Sequence, residues 1–297
     1  MNYLNDYNKM NYDTGGKSGL VNLGNTCFMN TCIQCLGHIT VLRNYILSNT
    51  FDENNQKVCY QLKRLLVGLW ENDCTVNPVS FHKTIKQIAK TEKVNINFTK
   101  NIQNDINEFI IFLIEIIEKE LDNDFIKTQF YGTMTTVISN IDHKDVSKTK
   151  SMFNILNVPL KSTFKECLDS LKDEELLEGD NKWYNEKTKL YQEAYKKYIY
   201  DKMPNELIVS FNRFNNLGNK LNNVIDFPVD MTIINGKKYY LKSIGNHSGN
   251  MFGGHYYAFV KHGEQWYNYN DSSVQKMNID NLVSSNAYVL FYSLDEN

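Results

Sequence analysis

Cys27 is the first residue of this chain whose type and position could support covalent chemistry. It follows Gly24, Asn25 and Thr26, which are residue types that form turns and cap helices, and it precedes an apolar pattern with helical spacing. The positive end of a helix dipole favours the thiolate, which is the nucleophilic form of cysteine. A free cysteine is more often a small buried apolar residue, so this segment alone leaves both interpretations open.

A base for that thiol lies late in the chain. Two strand-like segments flank a turn at His262 and Gly263 and predict a β-hairpin. The first strand begins with His255, and the second ends at Asn270 and Asp271, so pairing would bring the two ends together. A carboxamide or carboxylate beside a histidine fixes the imidazole tautomer and leaves the other nitrogen to take a thiol proton. The order Cys, His, Asn is that of papain-type cysteine proteases.

The elements that must position these residues change character after about residue 125. Before that point, apolar residues recur at helical spacing and predict helices at 25–48, 58–70, 81–90 and 105–121. After it, strand-like residues cover 133–140, 153–160, 206–211, 223–227, 239–246, 255–261 and 265–269. A short helix is predicted at 164–171 and a mobile loop at 249–254. These patterns predict a helical half followed by a mainly antiparallel sheet.

Bulk composition narrows the class of protein. The 297 residues carry a formal net charge of -2 and are 42% hydrophobic, which is typical of a soluble globular protein. No basic surplus favours binding to nucleic acid or to an anionic membrane. No apolar run reaches transmembrane length, and the polar residues 1–17 lack the apolar core of a signal peptide. We therefore expect an intracellular protein, cytoplasmic or nuclear, whose six cysteines are reduced.

The segments around Cys27 and His255 resemble the Cys box and the His box of ubiquitin-specific proteases, the largest class of deubiquitinating enzymes. Four further stretches of this chain resemble segments of the same family and occur in the same order. These stretches are residues 103–109, 207–214, 224–228 and 247–249. The resemblance extends from about Gly19 to Tyr292, which is nearly the whole chain. Several motifs in order are far more specific than any one of them.

The resemblance implies a papain-like α+β fold. Residues 18–297 would form a single catalytic domain, with a helical thumb at about 18–125. An antiparallel-sheet palm with fingers would follow at about 126–297, and residues 1–17 would be a flexible leader. A protein of this family hydrolyses the isopeptide or peptide bond after the C-terminal glycine of ubiquitin, through an acyl-enzyme thioester and without a cofactor.

The family pattern also implies a role for each candidate catalytic residue. Cys27 would attack the carbonyl, and His255 would act first as base and then as acid. Asn270 would orient His255, with Asp271 as the auxiliary acid beside it. Asn22 would donate its side-chain amide to the oxyanion, together with backbone N–H groups near the thiol.

A groove for the ubiquitin tail is implied by the same resemblance. The residues expected to border it are Gln103, Asp105, His247, Gly253, Gly254 and Tyr256. The carboxylate of Asp105 suits the arginines of that tail, and the two glycines allow the backbone to approach a ligand closely. The expected partners are ubiquitin and ubiquitinated proteins, bound by a monomer, with no role for nucleic acid or membranes.

The fingers depart from the family pattern. Most family members hold a zinc ion there with two Cys-x-x-Cys pairs, and those positions align with Asn140, His143, Asn185 and Thr188. One imidazole with two amides and a hydroxyl is a poor ligand set for zinc. We therefore predict no structural zinc, and fingers that either persist without metal or are shortened.

Two alternative functions follow from the sequence. The missing zinc cysteines suit a catalytically weak ubiquitin-binding module, and the same chemistry could act on another ubiquitin-like modifier with a Gly-Gly tail. A pure binding module has no need of Cys27, His255 and Asn270 together, so an active enzyme is favoured.

The remaining cysteines and histidines are expected to have no chemical role. Cys32 and Cys35 are three residues apart on the helix after Cys27, where cysteine packs in the core. The isolated cysteines are expected to be inert, and they are Cys59, Cys74 and Cys167. The histidines in polar contexts are expected to be solvated, and they are His38, His82 and His262.

Overall fold

The helical half of the protein extends to residue 130. The computed structural model describes residues 15–71, 74–92, 96–215, 217–250 and 253–295. Its helices are α1 (Cys27–Gly37), α2 (Thr40–Ser48), α3 (Lys57–Glu71), α4 (Val79–Glu92), α5 (Ile106–Leu121) and α6 (Phe125–Phe130). A further short helix, α7 (Phe164–Asp169), lies among the strands. No helix in the described ranges is long and apolar enough to cross a membrane.

The second half is built from strands. They are β1 (Gly132–Asn140), β2 (Val146–Phe153), β3 (Ile155–Pro159), β4 (Glu175–Leu177), β5 (Trp183–Asn185), β6 (Leu190–Gln192), β7 (Ala194–Lys202), β8 (Glu206–Asn212), β9 (Met231–Ile234), β10 (Lys237–Asn250), β11 (Gly253–His262), β12 (Gln265–Asn270), β13 (Ser273–Lys276) and β14 (Ala287–Leu294). A large sheet has the order β13-β12-β11-β10-β14-β8-β3, with β9 paired to β10. A small sheet has the order β2-β1-β7-β4, and β5 pairs with β6. Neighbouring strands are antiparallel except β3 and β8, so the α+β prediction is confirmed.

Helix α1 lies at the centre of the molecule, and all of its 11 residues are buried. A helix without an exposed face must be covered by other elements on every side. Phe28 packs edge-on against Phe109 of α5 at 5.3 Å between ring centroids. On the sheet side, a Cβ added to Gly245 of β10 would lie 3.7 Å from Thr31, so helix and strand approach closely. The first residue of this helix is Cys27.

The predicted helix 25–48 is instead two helices, α1 and α2, separated at His38 and Ile39. The His38 ring binds the carbonyl of Gln34 through Nδ1 at 2.7 Å, which satisfies a carbonyl left free at the helix end. Ile39 then takes an extended conformation, with φ −70° and ψ 109°. The apolar spacing therefore continues past residues 38 and 39, although the helix ends there with the His38 ring bonded to the Gln34 carbonyl.

Two other predictions for the second half are wrong. Residues 223–227 form no strand, although Ile225 and Phe227 are buried alternately with exposed neighbours. The alternation between buried and exposed residues arises because these two side chains anchor an irregular segment in the core. Within this segment, Asp226 alone makes a β-bridge, which is to Thr163. The predicted loop 249–254 belongs to a hairpin that extends to a pair between Asn250 and Gly253, while residues 251 and 252 lie outside the described ranges.

The predicted leader, residues 1–17, lies outside the described ranges up to residue 14. Its last residues are described, and Gly16 is buried. The Gly16 amide donates to the Leu69 carbonyl at 3.1 Å, and the Gly16 carbonyl accepts from the Tyr269 hydroxyl at 2.7 Å. A Cβ on Gly15 would collide with the carbonyl of Trp70. Residues 15–17 therefore pack against the helical half and the large sheet.

His38 is buried, with 8% of its surface exposed, so the prediction of a solvated ring is wrong. Besides Gln34, the ring contacts the carbonyl of Gly16 through Nε2 at 3.1 Å. Burial lowers the pKa of His38 to about 3, and the nearby His262 and Arg43 lower it further in the same direction. The ring is therefore neutral in the folded protein at any pH near neutrality.

This burial predicts acid sensitivity. Because the folded pKa is about 3 and the ordinary value is 6.5, the unfolded chain binds a proton that the folded protein excludes between those pH values. The free energy of unfolding should therefore fall as the pH drops from 6.5, by up to about 1.4 kcal/mol per pH unit from this residue. The measurement is denaturant unfolding of the wild type and His38→Gln at pH 4 to 7.

The His38→Gln variant should show a shallower dependence of stability on pH in that interval. His82→Gln is the matched control, because the His82 ring is only half-buried and should change the slope less. Equal slopes for the wild type and His38→Gln would contradict a neutral buried His38.

Candidate active site

The hairpin of β11 and β12 brings His255 and Asn270 together. The two strands pair from Ala258 with Tyr269 to the tight end at residues 262 and 265, so the turn comes one residue later than predicted. At the open end, His255 Nε2 lies 2.6 Å from Asn270 Oδ1. An amide oxygen only accepts, so Nε2 carries the proton and donates it. Nδ1 of the neutral ring is then an acceptor, which is the state a general base requires.

Cys27 lies beside the start of the same hairpin. It is the first residue of α1 and is 2% exposed. Its sulfur is near the backbone of Tyr256, the residue that follows His255. In the described part of the chain, no hydrogen bond joins the Cys27 thiol to the His255 ring. The structure therefore places the two residues on facing elements without a hydrogen bond between their side chains in the described part of the chain.

The thiol of Cys27 is disfavoured as a thiolate in this structure. Burial raises the pKa of Cys27 above its ordinary value of 9.0, and the negative charge of Asp271 raises it further. Backbone hydrogen bonds from Tyr256, Phe28 and Cys27 itself lower the pKa, but burial is the largest cause. The sequence favoured a thiolate because of the helix N-terminus, but burial raises the pKa of Cys27 by more than these backbone N–H groups lower it.

Asn22 is held in one orientation next to the start of α1. Its side-chain oxygen accepts from Gly24 N at 2.9 Å and from both the backbone N and the hydroxyl of Thr26 at 3.2 Å. Its side-chain nitrogen donates to Asp271 Oδ2 at 2.9 Å. Asn22 is exposed, and one of its two amide hydrogens is left for a ligand.

Asp105 joins the helical half to the large sheet. It caps α5 by accepting from the backbone N of Asn107 at 2.7 Å and of Glu108 at 3.4 Å. Its other oxygen accepts from the hydroxyls of Tyr288 at 2.8 Å and Tyr256 at 3.4 Å. These bonds fix a carboxylate at the junction where a positively charged ligand would meet both halves.

Gln103 makes a second connection across the same junction. Its carboxamide donates to the carbonyl of Gly254 at 2.5 Å and accepts from the amide of Gly254 at 2.7 Å. Gly253, the preceding residue, is exposed. A Cβ on Gly254 would collide with the His247 ring, so only glycine fits at this crossing. The backbone at residue 254 is thus held between Gln103 and His247.

His247 lies beneath this crossing and is 4% exposed. Its ring is 4.6 Å from that of Tyr256 between centroids, and Phe214 and Tyr288 also surround it. Burial lowers the pKa of His247 to about 4, with smaller contributions in the same direction from the charges of Lys220 and His255. This neutral ring lies directly against the backbone of Gly254.

Sequence reasoning did not single out Asn30 or Tyr288. Asn30 donates to the second oxygen of Asp271 at 2.8 Å, and Tyr288 binds Asp105. A signal for Asn30 was present, because it lies three residues after Cys27 on the same face of a mostly apolar helix. Tyr288 carried no such signal, since its partner is 183 residues away in the chain.

The positions that align with zinc ligands are occupied by a hydrogen-bond cluster. Asn140 ends β1, His143 lies in the turn between β1 and β2, and Asn185 ends β5 in the small hairpin nearby. Asn140 Oδ1 accepts from the Asp145 backbone at 2.9 Å, and Asn185 Nδ2 donates to the Asp145 carboxylate at 3.0 Å. Lys187 adds an ion pair to Asp145 at 2.9 Å.

This set does not fit zinc. His143 uses Nδ1 to contact Ser139 at 2.9 Å and stacks on Tyr195, and the amides of Asn140 and Asn185 are already bonded. No thiolate is available at any of the four positions, Thr188 included. In the described ranges, no group of three or more His, Cys, Asp or Glu residues could hold a metal ion. The two turns are joined through Asp145 instead.

The raised pKa of Cys27 predicts slow alkylation at neutral pH. Only the thiolate reacts with iodoacetamide, so the reaction rate of Cys27 in the free protein should reach half of its maximum above pH 9. Asp271→Asn removes a charge that raises the pKa and should move this midpoint to lower pH. Peptide mass spectrometry separates Cys27 from the exposed Cys74, which serves as an internal reference for the reagent. A midpoint below pH 9 for the wild type would contradict the burial argument.

The Asp145 cluster predicts fingers whose order is independent of metal. Asp145→Ala removes the acceptor shared by Asn185 and Lys187, so amide hydrogen exchange should accelerate at residues 140–145 and 185–189. Glu186→Ala, which breaks an exposed pair with Lys189, is the matched control and should leave that exchange unchanged. A chelator should not alter the melting temperature. One equivalent of zinc in purified protein would overturn this prediction.

Comparisons with known proteins agree with this geometry. The family model "Ubiquitin carboxyl-terminal hydrolase" matches residues 18–292. The chain is similar to Ubiquitin carboxyl-terminal hydrolase Usp2 of Drosophila melanogaster (27% identity, 93% of this chain, 35% of the relative). It is also similar to Ubiquitin carboxyl-terminal hydrolase 2 of Homo sapiens (26% identity, 94% and 55%). The chain therefore spans about a third to about a half of the length of these curated relatives.

A solved structure shows the same fold. The SAGA Ubp8/Sgf11/Sus1/Sgf73 DUB module bound to ubiquitin aldehyde matches with a TM-score of 0.79 and 26% identity, over 97% of this chain and 71% of the other. The family model covers most of the chain, including the Cys27 segment and the hairpin that carries His255 and Asn270. These matches agree with the resemblance inferred from the motifs, and the chain belongs to the ubiquitin carboxyl-terminal hydrolase family.

Proposed function

We propose that this chain is a thiol-dependent deubiquitinase, which hydrolyses the isopeptide or peptide bond after the C-terminal glycine of ubiquitin. The observation that carries the proposal is the bond between His255 Nε2 and Asn270 Oδ1, next to the buried Cys27. It leaves His255 as a base in the correct tautomer on the strand that faces the nucleophile. A chain that only bound ubiquitin would not need this arrangement.

The reaction begins with transfer of the Cys27 proton to Nδ1 of His255. The thiolate attacks the glycine carbonyl, and the resulting oxyanion accepts from the free amide hydrogen of Asn22 and from backbone N–H groups at the start of α1. When the C–N bond breaks, His255 returns the proton to the leaving amine and a thioester remains on Cys27. Water, deprotonated by His255, then hydrolyses the thioester, which releases the ubiquitin carboxylate and restores the thiol.

The free protein must rearrange before the first of these steps. The thiol is protonated because burial raises its pKa, and it makes no hydrogen bond to His255 among the described contacts. Proton transfer needs a donor and an acceptor within hydrogen-bond distance. We therefore propose that the hydrogen bond between Cys27 and His255 forms in the binding step, when the ubiquitin tail enters the junction.

The junction between the two halves suits that tail. Asp105 offers a carboxylate to the tail arginines, and Tyr256 borders the same place. The two hydrogen bonds between Gln103 and Gly254 lie in the path, and both groups can bond to the backbone of an extended peptide instead. Gly253 leaves room for that peptide, since a Cβ there would meet nothing closer than Gln103 Oε1 at 3.9 Å.

The partners proposed for this chain are ubiquitin and ubiquitinated proteins. The support is that two similar solved structures are Ubp8 modules bound to ubiquitin aldehyde and to monoubiquitin. That relative is part of a complex with Sgf11, Sus1 and Sgf73. Action as a monomer, an intracellular location and independence of nucleic acid and membranes stay predictions from the sequence.

A ubiquitin substrate with a C-terminal fluorogenic amide tests the activity. The wild type should release the fluorophore under reducing conditions, and Cys27→Ala should lower kcat at least about 10,000-fold because no thioester can form. Cys74→Ala is the matched control, since it removes an exposed cysteine that is not among the candidate catalytic residues. A ubiquitin probe with a C-terminal electrophile should form an adduct with the wild type and none with Cys27→Ala.

The same probes separate the alternatives. Binding of ubiquitin without turnover or adduct would replace the enzyme by a binding module. Turnover of a different modifier with a Gly-Gly tail, and none of ubiquitin, would keep the chemistry and change the substrate. An adduct that persists in Cys27→Ala would refute the assignment of the nucleophile.

A further inference from the structure

We infer that Asn30 is a positioning residue for catalysis, which holds the carboxylate of Asp271 so that Asp271 in turn holds the oxyanion-binding amide of Asn22. The inference rests on the proposed function and assigns a role in it to a residue outside the Cys, His and Asn triad. Its basis is a chain of hydrogen bonds from the helix of the nucleophile to the amide that meets the reacting carbonyl.

The carboxylate of Asp271 lies between two carboxamides. Its Oδ1 accepts from Asn30 Nδ2 at 2.8 Å, and its Oδ2 accepts from Asn22 Nδ2 at 2.9 Å. The two oxygens belong to one planar group, so a bond to each of them fixes the rotation of that group about the side chain. Loss of the bond from Asn30 frees this rotation and loosens the bond to Asn22.

The identity of the atom that Asn30 presents to Asp271 is settled by its surroundings. Its side-chain nitrogen is near three acceptors, which are Asp271 Oδ1 and, at 3.4 Å each, the carbonyls of Leu20 and Val21. A carboxamide oxygen in that place would face three lone pairs, so the nitrogen must lie there. Asn30 is 2% exposed, and its position one turn after Cys27 ties the bond to the rigid core helix.

The backbone of Asp271 has its own anchors, which do not involve Asn30. Its carbonyl accepts from Leu20 N at 2.8 Å, and its φ of +50° places it in the turn between β12 and β13. A Cβ on Gly19 would collide with the carbonyl of Ser272, so the segment before Cys27 lies directly on this turn. Asn30 therefore controls the direction of the carboxylate, while the turn is held by other contacts.

The effect on Asn22 follows from the planarity of an amide. Three donors fix the Asn22 oxygen, and Asp271 fixes one of the two N–H bonds. The second N–H bond lies in the same plane, so its direction is then determined as well. If the Asp271 carboxylate rotates away from Asn22, the second N–H bond of Asn22 loses its fixed direction. The oxyanion donor is then no longer preorganised.

The charge of Asp271 gives independent support. That charge raises the pKa of Cys27, so it opposes formation of the nucleophile. Because the side-chain oxygens of Asp271 bond to Asn22 and Asn30, we assign to this carboxylate a positioning role.

A double-mutant cycle tests the inference on the full chain, with ubiquitin fluorogenic amide as substrate. Asn22→Ala should lower kcat about 100-fold, as expected for loss of one oxyanion donor. Asn30→Leu, which removes the donor and keeps the volume, should lower kcat roughly 10-fold because the donor is displaced. Because Asn30 acts through Asn22, the double variant should be no slower than Asn22→Ala. Multiplication of the two losses would overturn the inference.

Two further measurements distinguish positioning from a general structural role. Inhibition by ubiquitin aldehyde, which forms a tetrahedral adduct with the thiol, should weaken in Asn30→Leu by the same factor as kcat/KM. Binding of unmodified ubiquitin should be unchanged, measured with Cys27→Ala as background. Weakening of ubiquitin binding to the same extent as aldehyde inhibition would refute the assignment.

Controls keep the result interpretable. Asn44→Leu removes another fully buried asparagine, whose oxygen accepts from Arg43, and should lower the melting temperature without lowering kcat. If Asn30→Leu does not fold, Asn30→Ser replaces it, since a shorter donor also breaks the bond to Asp271, and it must show the same non-additivity. Inactive wild-type protein would refute the proposed function, whereas additive losses in an active enzyme refute only the role of Asn30.

Discussion

The burial of α1 on all sides is the constraint on which the rest of the structure depends. The helix has no exposed face, so the other helices must cover one side of it and the large sheet the other. Its N-terminus then falls at the junction of the two halves, where Cys27 meets the strand of His255. A side chain at the end of a fully packed helix has little freedom to move, so the helix fixes the position of Cys27.

The same burial makes the junction a place where polar groups must bond to each other. Asp105 and Asp271 are satisfied by amides and hydroxyls, and in the described structure neither has a cationic partner. A carboxylate held in this way keeps its charge for a ligand such as an arginine, or fixes a neighbouring amide. Desolvation at this junction also raises the pKa of the Cys27 thiol, which disfavours the thiolate in the free protein.

In the fingers, polar side chains also bond to each other, but there they connect two hairpin turns. The two turns are connected by Asp145, which bonds Asn185 and Lys187 across them. Hydrogen bonds and an exposed ion pair are weaker and more local than a tetrahedral metal site. The small sheet therefore depends more on its own ladder, in which β1 pairs along its length with both β2 and β7.

Local pattern in the sequence was sufficient for α3, for α5 and for the β11–β12 hairpin, because their signals lie within one element. The proximity of His255 and Asn270 was also predictable, since the pairing of two adjacent strands brings these residues together. The tertiary structure alone decided the burial of His38, the raised pKa of Cys27 and the bond from Asn30 to Asp271, whose residues are 241 positions apart. Burial and charge depend on which distant segments pack against a residue, and the spacing of neighbours along the chain carries no information about that.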